Sequence, residues 1–407
     1  MTRENTFSPA KFLPIFTAAV YLAIGTCLLP FYRYQINPDG ISYISIAQKY
    51  VAGECYHAIN GYWSPLFSWL LIPGLYLRVE PLLAAKMLNL FVGMVVILSL
   101  CSFVRKFQIR QRTQFFFLFI LIPLVLDFSY AQITPDLLTA SVLIFYLNAI
   151  FDVNYPNKSR SGILCGIIGG LAYFSKHYCF LFFILHFPVM HAIHYFRDPS
   201  PLTRRNILRH FIKGLTVFLL MCSPWIGLIS YKYGKLLFST AGSLNLANLH
   251  PQAAAFKIPS FIEPPGDEAY SVWDDPYYAL QQFSWNPFAS IRDMKHWVKV
   301  FFKHVCQILL IFINFSYASF FIVVLYLLYM VLLKPKKIIS ESPIVFSVVS
   351  IVIYATGYCL IHLEDRFFII TFFLFMLIGF YVIDKIDKNS FYKIRYVLML
   401  SIFLISF

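Results

Sequence analysis

The order of apolar and polar positions divides this chain into long apolar runs separated by short polar links. Ten runs approach the ~20 residues that cross a bilayer as one helix. They cover 12–31, 82–104, 114–130, 136–151, 162–174, 178–196, 211–231, 308–333, 343–360 and 367–383. An eleventh, 396–407, is too short to span alone, as expected if the chain continues beyond Phe407. Backbone groups in hydrocarbon find no water to bond, so spanning segments must be helices. The pattern predicts an all-α polytopic membrane protein with ten or eleven transmembrane helices.

Composition supports this prediction and explains the positive charge. The chain is 59% hydrophobic and 13% charged, whereas soluble proteins carry about 25% charged residues. In a membrane protein, an excess of lysine and arginine usually marks cytoplasmic loops. The net charge of +14 therefore does not indicate a nucleic-acid partner. The eight cysteines show no CxxC or Cys/His spacing, so neither a disulfide framework nor a zinc site is predicted.

The orientation depends on one doubtful run, 63–77, which is short and contains Pro65 and Pro73. If this run does not cross, the N-terminus and five links lie on one side with more than half of the 33 lysines and arginines. Those links begin at Arg105, Asn154, Arg197, Lys334 and Asp384. The positive-inside rule makes that side cytoplasmic. The run 63–77 is then an interfacial or re-entrant segment, and two long loops, about 32–81 and 232–303, face outward.

Both outer loops contain helical patterns. In the first, apolar residues recur at helical spacing at Ile41, Ile44, Ala47, Tyr50 and Val51. In the second, a basic stripe precedes the next span; it consists of Arg292, Lys295, Lys299 and Lys303. A helix lying in the headgroup layer fits this stripe, and so does a span whose first turns snorkel to the surface. No separate soluble domain is expected, and residues 1–407 are predicted to form a single transmembrane domain.

Four ionisable residues from distant parts of the chain are predicted at the outer membrane face. They are Asp39, Asp136, Lys176 and Arg366. Each alone has a simpler explanation: a turn for Asp39, a helix start for Asp136 and interfacial anchors for the two cations. Their convergence on one face favours a functional site, because ionisable groups at membrane depth are costly.

Short motifs around these residues resemble the GT-C glycosyltransferases, which include the protein O-mannosyltransferases and the lipid A aminoarabinose transferases. Asp39 is followed by Tyr43 and then by Ser-Pro-Leu-Phe at 64–67, similar to the first outer loop of that family. Further similar stretches are Gly-Gly-Leu-Ala-Tyr-Phe-Ser-Lys at 169–176, Ser-Pro-Trp at 223–225 and Glu-Asp-Arg-Phe at 364–367. Two positions depart from the pattern. Gly40 stands where many members have a second acid, and Ser64 replaces the first proline of a Pro-Pro pair.

The resemblance implies transfer of a sugar from a polyprenyl-phosphate donor to a lipid, glycan or protein acceptor, with inversion at the anomeric carbon. A phosphate leaves readily, so the reaction needs a carboxylate that deprotonates the acceptor hydroxyl and cations that stabilise the departing phosphate. Asp39 is the expected base, with Asp136 a second catalytic candidate. Lys176 and Arg366 are expected to bind the phosphate. Three other residues are candidates for substrate binding: Tyr43, His57 and Glu364. The cofactor stays open, and a divalent metal ion is one candidate.

Two other classes remain open from the residues alone. A transporter or lipid flippase usually places ionisable groups near the midplane, within internal repeats. Here Asp127 and Lys86 are the nearest such groups, and no repeat is evident. An O-antigen ligase or polymerase would also have long outer loops and would share the donor class.

The membrane is expected to be a bacterial plasma membrane. The two glycosylation sequons start at Asn157 and Asn314. By the predicted topology they fall in a cytoplasmic loop and in a span, and none lies in an outer loop. Acceptor sequons of secreted proteins lie in surface loops, so this distribution favours a bacterial inner membrane with the active site on its outer side.

Overall fold

A computed structural model of the chain describes residues 9–198, 200–251, 264, 269–277, 285–333 and 342–385. Within these residues the structure is 81% helical and has no strands. The α-helices are α1 (Pro9–Tyr32), α2 (Pro38–Ala52), α3 (Cys55–Ala58), α4 (Pro65–Tyr76), α5 (Pro81–Phe103), α6 (Gln111–Tyr130), α7 (Asp136–Ile150), α8 (Ser161–Ser175), α9 (Tyr178–Arg197), α10 (Pro201–Tyr233), α11 (Ala241–Ala247), α12 (Ile291–Phe315), α13 (Tyr317–Leu333), α14 (Ser342–Cys359) and α15 (Ile369–Lys385). The predicted run 396–407 lies outside the described residues.

The predicted class, an all-α polytopic membrane protein, is confirmed. Seven helices of the described part are long and apolar enough to cross a membrane, and five shorter apolar helices accompany them. Several expected spans are among the shorter helices, including α7 and α8 with 15 residues each. The count of ten or eleven crossings therefore stays a prediction.

The doubtful run 63–77 forms the short helix α4. Its 12 residues extend about 18 Å at 1.5 Å per residue, well below the roughly 30 Å of a hydrocarbon core. This length agrees with the prediction that the run does not cross. The helix packs against α2, α5 and α8 and so joins α2 to two of the apolar helices.

The predicted span 308–333 is wrong as a single helix, because the structure breaks it at Ser316. Ser316 has an extended backbone, with φ at −161°, and its Oγ accepts a hydrogen bond from the Ser319 amide at 3.2 Å. A serine in this position caps the start of a new helix, so α13 begins at Tyr317. The preceding helix α12 includes the whole basic stripe and buries one face at His304, Ile308, Phe312 and Phe315.

Close packing fixes the helices that surround the candidate site. On α8, a Cβ at Gly162 would lie 2.2 Å from the His210 carbonyl oxygen of α10, and a Cβ at Gly166 would lie 2.3 Å from that of Gly214. Small residues four positions apart permit such close contact of membrane helices. In the middle of the bundle, α15 is buried at every residue from Ile369 to Ile383. It contacts α6, α7, α13 and α14 and gives the residues at its start a rigid base.

Candidate active site

A polar cleft of about 470 Å³ opens where the start of α2, the link between α6 and α7, and the residues before α15 meet. Its lining residues are Asn37, Pro38, Asp39, Gln132, Glu364, Asp365 and Arg366. Three of the predicted site residues, Asp39, Glu364 and Arg366, are among them. The cleft therefore brings together parts of the chain that are more than 300 residues apart.

Asp39 and Arg366 form an ion pair in this cleft. Asp39 lies in the first turn of α2, after a proline at the helix start, where the helix dipole favours an acid. Its Oδ2 accepts a hydrogen bond from an Arg366 terminal nitrogen at 2.6 Å. The side chains are 29% and 17% exposed, so a ligand in the cleft can reach both.

Glu364 fixes the orientation of the same guanidinium. Its Oε2 accepts a hydrogen bond from Arg366 Nε at 2.6 Å, and its Oε1 lies 3.3 Å from His362 Nε2. Partial burial raises the pKa of Glu364, but hydrogen bonds from His362 and Arg366 outweigh it and lower the pKa to about 2. The ionised carboxylate therefore holds Arg366 by a charge-assisted hydrogen bond and leaves the far side of the guanidinium facing Asp39.

Two more of the predicted residues, Asp136 and Lys176, form a second ion pair. Lys176 Nζ lies 2.5 Å from Asp136 Oδ1, and Thr134 Oγ1 donates to Asp136 Oδ2 at 2.7 Å. Lys176 Nζ also lies 3.7 Å from the centre of the Phe367 ring, and the Arg366 guanidinium carbon lies 5.5 Å from it. Both cations thus contact one aromatic ring. Asp136 is only 4% exposed, whereas Lys176 is 18% exposed.

Tyr43, predicted to bind substrate, is buried on α2, the helix that begins with Pro38 and Asp39. Its ring is buried and packs edge-on against Trp63 and Phe67, with ring centres 5.0 and 5.5 Å away. Burial raises the pKa of Tyr43 well above its ordinary value, and the charges of Asp39 and Asp136 raise it further. The two ion pairs form one cluster because Lys176 and Arg366 both contact the Phe367 ring.

Sequence reasoning missed Tyr62, and the structure places His57 away from the cleft. Burial raises the pKa of Tyr62, and the charges of Asp39 and Glu364 raise it further; its ring packs edge-on against Trp63, with ring centres 4.6 Å apart. His57 is exposed on α3, where its ring contacts Tyr56 with ring centres 5.8 Å apart. It is not a lining residue of the cleft.

The link between α6 and α7 is held by side chains from two other helices. Asn37 Oδ1 accepts a hydrogen bond from the Ile133 amide at 2.8 Å. Lys86, whose side chain is fully buried, donates from Nζ to the Tyr130 carbonyl at the end of α6. A cation at a helix C-terminus is favoured by the helix dipole. This residue, considered above for transport, therefore has a structural partner beside the cleft.

Gly40 explains why this chain lacks a second acid after Asp39. A Cβ at Gly40 would lie 2.8 Å from Ile133 Cβ, closer than non-bonded carbons approach. Ile133 is itself buried and held through its amide by Asn37. The side chain of a second acid therefore has no room unless the link moves.

A divalent metal ion, left open by the sequence, finds no ligand set in the described part of the chain. No group of three His, Cys, Asp or Glu side chains there is placed to hold one. Asp39 and Glu364 face Arg366, and Asp136 faces Lys176. Asp39 and Glu364 thus share one cation, and Asp136 has another.

Comparison with solved structures identifies the architecture that carries this cluster. ArnT from Cupriavidus metallidurans bound to undecaprenyl phosphate superposes with a TM-score of 0.57 at 15% identity, over 96% of this chain and 63% of ArnT. Its apo state gives a TM-score of 0.52 at 15% identity, over 95% and 62%. ArnT is a GT-C glycosyltransferase. This chain has the GT-C fold.

A third structure is more distant, and the sequence alone finds no counterpart. The apo oligosaccharyltransferase of Archaeoglobus fulgidus gives a TM-score of 0.49 at 11% identity, over 100% of this chain and 55% of that one. No protein-family model and no curated protein matches the sequence. The chain spans a little under two thirds of the length of ArnT. The fold expected from the short motifs is confirmed, although overall identity is very low.

Proposed function

We propose that this protein transfers a sugar from a polyprenyl-phosphate donor to an acceptor hydroxyl at the outer face of the membrane. One observation carries the proposal: in a GT-C fold, the ion pair Asp39–Arg366 lines a polar cleft, and a second ion pair, Asp136–Lys176, contacts the same Phe367 ring as Arg366. The ArnT structure of the same fold holds undecaprenyl phosphate, which supports a lipid phosphate as donor. The acceptor class, whether lipid, glycan or protein, stays open.

Asp39 is the proposed general base. It is the most accessible carboxylate of the two ion pairs, 29% exposed against 4% for Asp136. In the reaction it takes the proton of the acceptor hydroxyl while that oxygen attacks the anomeric carbon. The bond from that carbon to the phosphate oxygen breaks, and the electron pair leaves with the phosphate. A single displacement of this kind inverts the anomeric centre.

Arg366 and Lys176 are the proposed phosphate ligands. Both contact the ring of Phe367, and in the proposed complex they bind the same phosphate. Fixed cations that face the developing charge stabilise a transition state without reorganising. Glu364 and Asp136 then serve to orient Arg366 and Lys176, which gives Asp136 a supporting role instead of the role of a second base.

A turnover assay of purified protein tests this proposal. The donors are undecaprenyl-phosphate-linked sugars extracted from bacterial inner membranes, the acceptors are the lipids, glycans and proteins of the same membranes, and the readout is the release of undecaprenyl phosphate. Asp39→Asn keeps the size and the turn propensity, yet we expect it to lower turnover by roughly 10²–10⁴-fold. The matched control is Asp152→Asn, a carboxylate of 22% exposure paired with Lys106 and Lys158, which follows the opposite end of α7. Retention of more than about a tenth of wild-type turnover by Asp39→Asn, below that catalytic range, would remove Asp39 as the base.

Sidedness is tested separately. The positive-inside rule predicts Ser243 outside and Ser159 inside, and both are exposed in the structure. In a cysteine-free background, a membrane-impermeant thiol reagent added to intact cells should label Ser243→Cys. Labelling of Ser159→Cys instead would contradict the proposed orientation.

A further inference from the structure

A second group of buried charges lies outside the cleft, on residues 270–275, which we name the strap. At its centre is Asp274, whose side chain is fully buried. Its Oδ2 accepts hydrogen bonds from Ser45 Oγ at 2.5 Å and from Lys49 Nζ at 3.2 Å. Its backbone carbonyl accepts one from Asn60 Nδ2 at 2.5 Å. The strap, from the second outer loop, is thereby joined to the first.

The strap contacts one face of α2 over two turns. The Trp273 carbonyl accepts hydrogen bonds from Trp63 Nε1 at 2.6 Å and from Ser42 Oγ at 3.3 Å. Ser42, Ser45 and Lys49 are three and four positions apart, so they lie on one face of a helix. The contact with α2 is therefore made by three consecutive polar side chains along this face.

The neighbouring acid of the strap, Asp275, binds a different helix, α10. Asp275 pairs with Lys232 at 2.9 Å, and these side chains are 8% and 5% exposed. The Tyr233 hydroxyl donates to the same carboxylate at 2.9 Å, and Lys232 also donates to the Ile59 carbonyl at 2.6 Å. Asp274 therefore holds α2, while Asp275 holds the end of α10.

Buried ion pairs contribute little net stability, because desolvation offsets their attraction. They do fix geometry, since the partners have few alternative arrangements. Asp39 lies in the first turn of the helix held by Asp274, six positions before Ser45, which is about 9 Å of helix. We propose that Asp274 is a positioning residue that holds α2 through Ser45 and Lys49 and so fixes Asp39 against Arg366. This inference rests on the proposed function of Asp39.

The first test compares two neighbouring acids of the strap. We expect Asp274→Asn to lower kcat for undecaprenyl-phosphate-linked sugars by on the order of 10²-fold, the effect of a displacement of about 1 Å at a reacting group. The KM for the donor should change little. The matched control is Asp275→Asn. This variant removes the neighbouring buried charge of the strap, which pairs with Lys232 of α10, and it should lower kcat much less. Equal losses in kcat from the two variants would overturn the inference.

The second test asks whether Asp274 acts through Asp39. In an Asp39→Asn background, adding Asp274→Asn should cause no further loss of the residual turnover, because coupled residues are not additive. An equal fold-loss in both backgrounds would assign Asp274 a general structural role. If Asp274→Asn fails to fold, the double variant Lys49→Met/Asp274→Leu removes both charges and should fold. Its kcat should stay low, and a wild-type kcat would overturn the inference.

A third measurement is independent of catalysis. Hydrogen exchange of the α2 amides should become faster in Asp274→Asn than in wild type or Asp275→Asn. If wild-type protein releases no undecaprenyl phosphate, the proposed function fails, but faster exchange still shows that the strap holds α2. Unchanged exchange of the α2 amides would overturn the positioning role even in an active enzyme.

Discussion

In the cleft, the side chains of Asp39, Arg366 and Glu364 are 29%, 17% and 37% exposed, whereas Lys49 and Asp274 of the strap contact are 7% and 0% exposed. Both regions join distant segments of the chain by pairing carboxylates with cations. A partly exposed pair can exchange its partner for a ligand, because water and the ligand reach it. A buried pair cannot do so without leaving a charge unpaired in a low-dielectric environment.

The two regions also differ in what burial does to a carboxyl group. In the cleft, hydrogen bonds from His362 and Arg366 prevail over burial and lower the pKa of Glu364 to about 2. In the strap, burial prevails and raises the pKa of Asp275, although Lys232 and Tyr233 act in the opposite direction. The comparison predicts that variants of the cleft change turnover, whereas variants of the Asp275–Lys232 pair of the strap change mainly stability.

The largest expected effect is on stability, from Lys232→Met. This change leaves Asp275 buried without its cation, which typically costs about 3–5 kcal/mol. The free energy of unfolding, measured by SDS titration in mixed micelles, should fall by that amount. The control is Lys158→Met, whose side chain is 59% exposed in its pair with Asp152, and which should cost less than about 1 kcal/mol. Similar losses from both variants would remove the distinction between buried and exposed pairs.

The next effect is on catalysis, from Arg366→Met. Removing one preorganised stabiliser of developing charge costs about 2.7–4 kcal/mol in the transition state, or roughly 10²–10³-fold in kcat. The apolar stem of the side chain is preserved, so the free energy of unfolding should change far less than in Lys232→Met. Turnover and SDS titration of the same preparations measure both quantities. A large loss of stability with normal turnover would contradict the catalytic role of Arg366 and give it a structural role like that of Lys232.

The sequence predicted the fold and singled out four charged residues, but it did not predict how these residues pair. Apolar runs reveal membrane helices because bilayer thickness sets their length, and Asp39, Asp136, Lys176 and Arg366 stand out as charges at their ends. The pairing was not predictable, since Asp39 and Arg366 are 327 positions apart and Lys176 and Asp136 are 40 apart.

The strap and the helix break were missed for a different reason. Asp274 and Asp275 lie in a polar loop without periodicity, where acids usually face solvent, and nothing local indicates that they are buried. The break after α12 did have a local signal, because Ser316 favours a helix start. The unbroken apolar run on both sides concealed it.

A smaller effect is expected from restoring the second acid of the family pattern with Gly40→Asp. The new Cβ would lie 2.8 Å from Ile133 Cβ, and overpacking of this kind typically costs about 1–3 kcal/mol. SDS titration measures the loss. The paired variant Gly40→Asp/Ile133→Ala removes the contact and should recover part of the stability lost to the clash. An unchanged free energy of unfolding in the single variant would mean that the link between α6 and α7 moves to make room for the new side chain.

The smallest effect is a pH dependence of opposite sign in the two regions. The folded pKa of Glu364, about 2, lies below its ordinary value of 4.5. Its contribution is therefore fully present above about pH 4.5 and is lost as pH falls toward 2. The pair is partly solvated, so the contribution should be less than about 1 kcal/mol. The stability difference between wild type and Glu364→Gln should shrink when SDS titrations are repeated from about pH 6 to about pH 3.

For Asp275, whose folded pKa is raised, the folded state holds its proton more tightly than the unfolded state. The difference between wild type and Asp275→Asn should therefore stay constant or grow as pH falls. Parallel pH trends for the two variants would show that solvent exposure does not separate the cleft from the strap.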